Sequence, residues 1–158
     1  MSVGLTFGSV GDIISVCSII KELITALREF KGSSSEYQTT IRELQNVDTV
    51  LTDLHDLACL CDRLGGYESL AQRVRLEALK CESLITPFRD KISKYTESLR
   101  IGGCGNVARD AFWKLHWRIS HRDDLEEFRR ALKVQTEVMT VIIVTAKMYE
   151  MIRYLIAV

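Results

Sequence analysis

The feature that most constrains the fold is a row of apolar residues in the middle of the chain, spaced four or three positions apart. The row consists of Leu70, Val74, Ala78, Cys81, Ile85, Phe88, Ile92, Tyr95 and Leu99. This spacing predicts a helix over 67–99 whose apolar residues form one seam against other helices. Pro87 lies inside the row and removes one backbone donor, so we expect a kink or a break near residues 85–86.

Glycine clusters divide the rest of the chain into further helical segments. The patterns predict helices over 11–32 and 36–64, and the pair Gly65-Gly66 is expected to end the second one. A short helix is predicted over 107–120, and a last long helix begins at Asp123, whose side chain can cap it. Signals for β-strands are nearly absent, because there is no sustained alternation and no Asn-Gly or Asp-Gly turn.

These segments predict an all-α fold: a single domain over 1–158, built as an antiparallel helical bundle of about five helices. An apolar N-terminal segment covers 1–10, and a flexible connector is expected at about 100–106. The last helix is apolar nearly all round from Val138 onward, which predicts a central helix wrapped by others. Its predicted inner face consists of Leu125, Phe128, Leu132, Met139, Ile142, Ala146 and Tyr149.

The N-terminus is unusually apolar. Residues 1–20 contain one charged side chain, Asp12, among many aliphatic residues. An exposed terminus of this composition is a liability for a soluble protein. It is therefore either buried in the core or held back for insertion elsewhere.

Overall charge and cysteine content exclude several classes of protein. The chain has 21 Lys plus Arg and 21 Asp plus Glu, a balance that argues against a dedicated nucleic-acid binder. Its five cysteines are an odd number, at mostly helical positions, and indicate reduced thiols in a cytoplasmic protein rather than a disulfide framework.

The spacings also argue against an enzyme, a cofactor or a metal site. Cys59 and Cys61 would lie about 200° apart on a helix, and His116 and His121 about 140° apart, so neither pair can chelate one metal ion. The acidic residues around Asp123 are explained by the favourable effect of negative charge at a helix N-terminus. We therefore expect a protein without catalytic chemistry.

The predicted short helix carries a basic face. Its candidate lipid-facing residues are Arg109, Lys114, Arg118 and Arg122. Such a face can contact anionic lipid headgroups, although a merely solvated helix face is the default explanation. Trp113 and Trp117 lie four positions apart nearby, which suits either packing between helices or a membrane interface.

Several of these motifs together resemble a known family. They are residues 7–13 (Phe-Gly-Ser-Val-Gly-Asp-Ile), 27–29 (Leu-Arg-Glu), Gly32, 34–37 (Ser-Ser-Glu-Tyr), 41–44 (Ile-Arg-Glu-Leu), 94–95 (Lys-Tyr), Trp117, 124–125 (Asp-Leu) and 128–129 (Phe-Arg). The chain resembles fungal N-terminal helical domains of the HeLo-like type, which precede NACHT-type signalling ATPases or other modules. The resemblance spans nearly the whole chain, and its motifs are packing patterns rather than a chemical signature.

The resemblance implies the N-terminal domain of a larger receptor-like or incompatibility protein, acting as a cell-death effector. Related domains oligomerise on activation, rearrange, and insert an apolar N-terminus into the plasma membrane. The residues that would insert here are Val3, Leu5, Phe7, Val10, Ile13, Ile14, Val16 and Ile20. The partners implied are further copies of the chain, anionic membrane lipids and other helical signalling domains, and no nucleic acid.

A second interpretation stays open. Long helices with open grooves bind partner helices, so the chain is alternatively a non-enzymatic adaptor or regulatory module without membrane activity. In that case the apolar N-terminus is permanent core or interface. Flotation with anionic liposomes separates the two interpretations.

Overall fold

The computed structural model describes residues 10–29, 35–101 and 122–157. Within these ranges it contains four helices and no strand. They are α1 (Val10–Glu29), α2 (Ser35–Leu64), α3 (Glu68–Ile101) and α4 (Arg122–Ile156). The all-α prediction is confirmed. The short helix predicted over 107–120, and most of the connector predicted at about 100–106, lie outside the described residues.

The turn between α2 and α3 follows the glycine signal. Gly65 and Gly66 have φ values of 65° and 76°, a backbone conformation that L side chains rarely adopt. The amide of Gly65 donates to the carbonyl of Cys61 at 3.2 Å, which satisfies one of the last free carbonyls of α2. Because a Cβ at either glycine would meet no atom within 4 Å, backbone conformation and not space favours glycine here.

The break expected near residues 85–86 does not occur. Helix α3 is continuous from Glu68 to Ile101, with Pro87 inside it on the exposed side. Ile85 and Phe88 on either side are both buried. The packing of the seam therefore holds the helix together across Pro87, which has no backbone N–H to donate.

Helices α2 and α3 form the centre of the bundle. Both pack against α1 and against α4, while α1 and α4 lie on opposite sides of the central pair without an extended contact. Neighbours along the chain run antiparallel: the end of α2 meets the start of α3 through Asp62 and Arg75, and the end of α3 meets the start of α4 through Lys91 and Asp124. This arrangement explains why α3 needs a long, continuous seam.

The core runs through all four helices. In α3 the predicted seam is buried from Val74 to Ile92, while Leu70 is half-buried and Ala71 is buried beside it. Phe88 of α3 stacks on Phe128 of α4 with ring centroids 4.0 Å apart. The largest fully buried side chains are Ile13, Ile20, Leu23, Leu27, Leu44, Leu51, Leu54, Glu77, Ile85, Ile92, Leu132 and Met139.

The prediction that the last helix is wrapped by others is wrong for the described part of the chain. Contacts of Glu77 with Gln135 and of Glu43 with Arg129 place the α2–α3 turn level with about residues 145–151 of α4, since packed helices advance equally per residue. Beyond that level α4 extends past the α2–α3 turn. Tyr149, predicted to face inward, is 62% exposed, and Ile142 is only half-buried.

Candidate interaction surfaces

The described residues hold no group of three or more His, Cys, Asp or Glu side chains that could bind a metal ion. No helix within the described ranges is long and apolar enough to cross a membrane. Three surface features of the described residues are candidates for a function. They are the buried face of α1, an apolar groove beside α4, and the exposed outer face of α4.

The structure places the predicted insertion residues in different environments. Ile13, Val16 and Ile20 are fully buried in the core, whereas Ile14 is 57% exposed. Val10 is the first residue of α1, and its side chain lies outside the described residues. So do Val3, Leu5 and Phe7, and the predicted basic residues Arg109, Lys114, Arg118 and, for its side chain, Arg122.

The buried face of α1 contributes strongly to stability. Five aliphatic side chains of this helix are fully buried: Ile13, Val16, Ile20, Leu23 and Leu27. At about 1.5–3 kcal/mol each, their burial is worth roughly 8–15 kcal/mol as an upper bound. That is comparable to the whole stability of a typical domain. Unaided release of α1 would therefore be rare, and a released state needs another apolar environment for this face.

Polar contacts link α1 to the bundle and also join the other three helices to one another. Among the described residues, short ion pairs join α2 to α3, α2 to α4, and α3 to α4. An ion pair between Glu22 of α1 and Arg89 of α3 is longer, at 3.7 Å. The pKa of the Cys17 thiol is raised to about 11, first by burial, then by the negative charge of Asp48 on α2 and by the hydrogen bond that the thiol donates to that carboxylate. Apolar packing is thus the main attachment of α1.

A groove lies where the end of α2, the start of α3 and the second half of α4 meet. Its volume is about 320 Å³. The lining is mostly apolar and consists of Leu57, Leu60, Cys61, Leu64, Tyr67, Leu70, Arg73, Val141, Ile142, Thr145, Ala146, Tyr149 and Glu150. Arg153 lies next to one of the lining residues: its guanidinium donates to the Tyr67 hydroxyl and lies 6.0 Å from the Tyr67 ring centroid.

The outer face of α4 is apolar over four turns. Val141, Val144, Met148, Met151 and Leu155 follow one another at steps of three and four, so they share one side of the helix. Each is between 49% and 72% exposed. We call these five residues the α4 stripe. The sequence contains this spacing, but periodicity alone does not say which of two apolar faces is covered.

A buried carboxylate links α3 to α4. Glu77 is 1% exposed, and its Oε2 accepts a hydrogen bond at 3.0 Å from the amide of Gln135. Its Oε1 lies 3.0 Å from Lys80 Nζ and 3.2 Å from Arg73 Nε. Burial raises the pKa of the Glu77 carboxyl, but the hydrogen bonds from Gln135 and Lys80 and the two positive charges outweigh it, so the pKa lies below its ordinary value. The group is a structural clamp between the two helices.

One turn of α2 brings a histidine and a cysteine together. The sulfur of Cys59 lies 3.9 Å from Nε2 and 4.0 Å from Nδ1 of His55. Because the two ring nitrogens are almost equally distant from the sulfur, neither points at it as a general base would. The pair gives no support to nucleophilic chemistry.

Comparison of the chain with protein-family models, with curated proteins and with solved structures finds no match.

Proposed function

We propose that this chain is a cell-death effector domain that targets membranes when it oligomerises, by releasing its apolar N-terminal region from the bundle. The proposal rests on the resemblance to HeLo-like domains and on one structural observation. Helix α1 packs on one side of the α2–α3 pair, while α2, α3 and α4 are joined to one another by short ion pairs without it. These ion pairs do not involve α1, so its departure would leave them in place.

The proposed membrane contact is interfacial and does not require a helix that spans the bilayer. Helix α1 carries charged residues at both ends, including Asp12 and Arg28, which favour the headgroup region. Its aliphatic face would be buried at the boundary between headgroups and acyl chains instead of against α2 and α3, so most of its apolar surface would again be shielded from water. A single copy would bind reversibly, and an oligomer would multiply the binding through effective concentration. The basic residues 109–122 would add contacts to anionic headgroups.

Ile14 allows a test that leaves the folded bundle intact. It belongs to the predicted insertion segment, yet it is 57% exposed, so Ile14→Asp removes no core contact. In the interfacial geometry proposed, Ile14 lies at the edge of the aliphatic face, about 100° from Ile13. Loss of two or more lipid-contacting carbons at about 0.8 kcal/mol each, together with repulsion of the new carboxylate by anionic headgroups, lowers lipid binding by about tenfold or more. Leu76→Asp is the matched control, because Leu76 is a 47% exposed apolar residue on α3.

The assay is flotation and dye leakage with liposomes that contain anionic lipid, at low and high salt. The chain is fused to a chemically inducible oligomerisation module, and each variant is first checked for unchanged thermal unfolding. We expect the wild type and Leu76→Asp to bind liposomes and cause dye leakage on induction. Ile14→Asp should bind liposomes at least tenfold more weakly and cause correspondingly less leakage. Equal leakage by Ile14→Asp and the wild type would refute the proposal.

A second candidate function is a non-enzymatic adaptor module without membrane activity. The observation that favours it is the groove between α2, α3 and α4, whose mostly apolar lining suits the apolar face of a partner helix. In this case neither the wild type nor any variant floats with liposomes, whether or not it is oligomerised.

A further inference from the structure

We infer that the α4 stripe is a self-association surface, and that its partner is the α4 stripe of a second copy in antiparallel orientation. The inference goes beyond the proposed function, because it would hold for an adaptor with no membrane activity. It rests on three observations about α4: the spacing of the stripe, the exposed apolar area, and the charges at one end.

The spacing of the stripe matches a helix pair. Residues 141, 144, 148, 151 and 155 occupy alternate steps of three and four, which is the seam of a two-stranded coiled coil. Residues 138–146 contain no charged side chain. Lys147 lies beside the stripe, and Arg153 is turned toward Tyr67 at the groove. The seam itself is therefore free of charge along its length.

The exposed area suits a dimer. From the exposed fractions of its five side chains, the stripe offers about 600 Å² per copy, somewhat below the roughly 800 Å² per partner of a standard stable interface. It lies at the upper end of the roughly 300–600 Å² that the largest apolar patch of a typical monomer covers. Two stripes together would bury about 1,200 Å², which is typical of a weak, reversible complex. We therefore expect association that depends on protein concentration.

The charges select the orientation. The row of the stripe continues toward the start of α4 through Glu137 and Arg130. In a parallel pair, each of these residues would face the identical residue of the second copy, which is unfavourable. An antiparallel pair avoids both clashes and places Val144 opposite Leu155 of the second copy, and Met148 opposite its Met151. Such a two-fold contact uses the same surface on both copies and closes on itself.

The first test is the association state of the full chain by sedimentation velocity, between about 5 and about 500 µM. The variants are Met148→Glu and Val144→Lys, at positions 53% and 49% exposed, so that both keep the bundle folded. Leu76→Glu, on α3, is the control. We expect a monomer–dimer equilibrium for the wild type and Leu76→Glu, and at least tenfold weaker association for both α4 variants. A wild type that stays monomeric, or α4 variants that dimerise equally well, overturns the inference.

The orientation is tested by disulfide cross-linking in mixtures. Copies carrying Val144→Cys and copies carrying Leu155→Cys, distinguished by tags of different mass, are oxidised together, with the wild-type chain as the control for native thiols. An antiparallel pair gives mainly the mixed product. Mainly Val144→Cys homodimers would contradict the antiparallel arrangement. Because these tests contain no lipid, their failure is separate from failure of the liposome assay.

Discussion

The hydrogen-bonded pair Glu77 and Gln135 leads to a prediction about which of the two residues, when replaced, lowers the free energy of unfolding more. Replacing Gln135 with leucine removes the hydrogen bonds to Glu77 Oε2, at 3.0 Å, and to the Glu77 carbonyl, at 3.1 Å. The carboxylate stays buried, at 1% exposure, with one oxygen unpaired. An unsatisfied buried acceptor is unfavourable by about 1–3 kcal/mol, toward the upper end for a charged group. We predict that Gln135→Leu lowers the free energy of unfolding by about 2 kcal/mol.

Replacing Glu77 with leucine has a smaller effect. The carboxylate leaves together with its desolvation penalty, and its cationic partners Arg73 and Lys80 are 60% and 52% exposed and can turn to water. Gln135 is half-buried and can also reach solvent. We predict a change of at most about 1 kcal/mol for Glu77→Leu. The double variant should be about as stable as Glu77→Leu alone, which makes the two effects strongly non-additive.

The assay is urea unfolding followed by helical circular dichroism for the wild type, both single variants and the double variant at neutral pH. A repeat at about pH 3 provides an internal check, since the low pKa of Glu77 stabilises the fold above its ordinary value of 4.5 and this contribution is lost as the pH falls below it. The penalty of Gln135→Leu should therefore shrink in acid. A larger loss for Glu77→Leu than for Gln135→Leu would refute the reasoning.

Three further outcomes are expected. Pro87→Ala restores a helical amide at an exposed position of continuous α3, so the free energy of unfolding should rise by about 1–3 kcal/mol in urea titrations; no gain would mean that α3 bends there. Arg129 donates two hydrogen bonds to the Glu43 carboxylate, at 2.8 and 2.9 Å, and both side chains are about 30% exposed. Arg129→Lys loses this bidentate contact and should lower the free energy of unfolding by about 1 kcal/mol. An unchanged urea midpoint would show that solvent screens the pair. Burial raises the pKa of Cys81 from 9.0 to about 12, so this thiol stabilises the fold below pH 9 and that contribution is lost as the pH rises toward 12. Cys81→Ala should therefore flatten the decline in the free energy of unfolding between pH 9 and 11. An equal slope for the variant and the wild type would contradict this account.

The bundle could be predicted from the sequence because its signals are local. The seam of α3 follows from the spacing of residues between Val74 and Ile92, and the end of α2 follows from two glycines that tolerate positive φ. Of the kink or break expected near Pro87, the break is wrong, because α3 is continuous there. The burial of the side chains on both sides of Pro87 outweighs the energetic cost of the hydrogen bond that is lost there.

The surfaces of α4 could not be predicted, because they depend on how far each helix extends past its neighbours. The same three-and-four spacing supports an inner face with Met139 and an outer face with Met148. Only the level at which Glu77 meets Gln135 shows that the last turns of α4 pass beyond the α2–α3 turn. The groove likewise combines side chains from three helices whose relative positions no sequence pattern specifies.

The central claim is that α1 separates from α3 on membranes while α3 and α4 stay together. The most direct test is the distance between spin labels carried by unnatural amino acids at Ser18 of α1 and Ser83 of α3, two exposed positions on adjacent helices. Labels at Arg73 of α3 and Val134 of α4 form the control pair. After induced oligomerisation on anionic liposomes, we predict that the first distance lengthens and spreads while the control distance stays the same. An unchanged distance between residues 18 and 83, under conditions that cause leakage, would contradict the account.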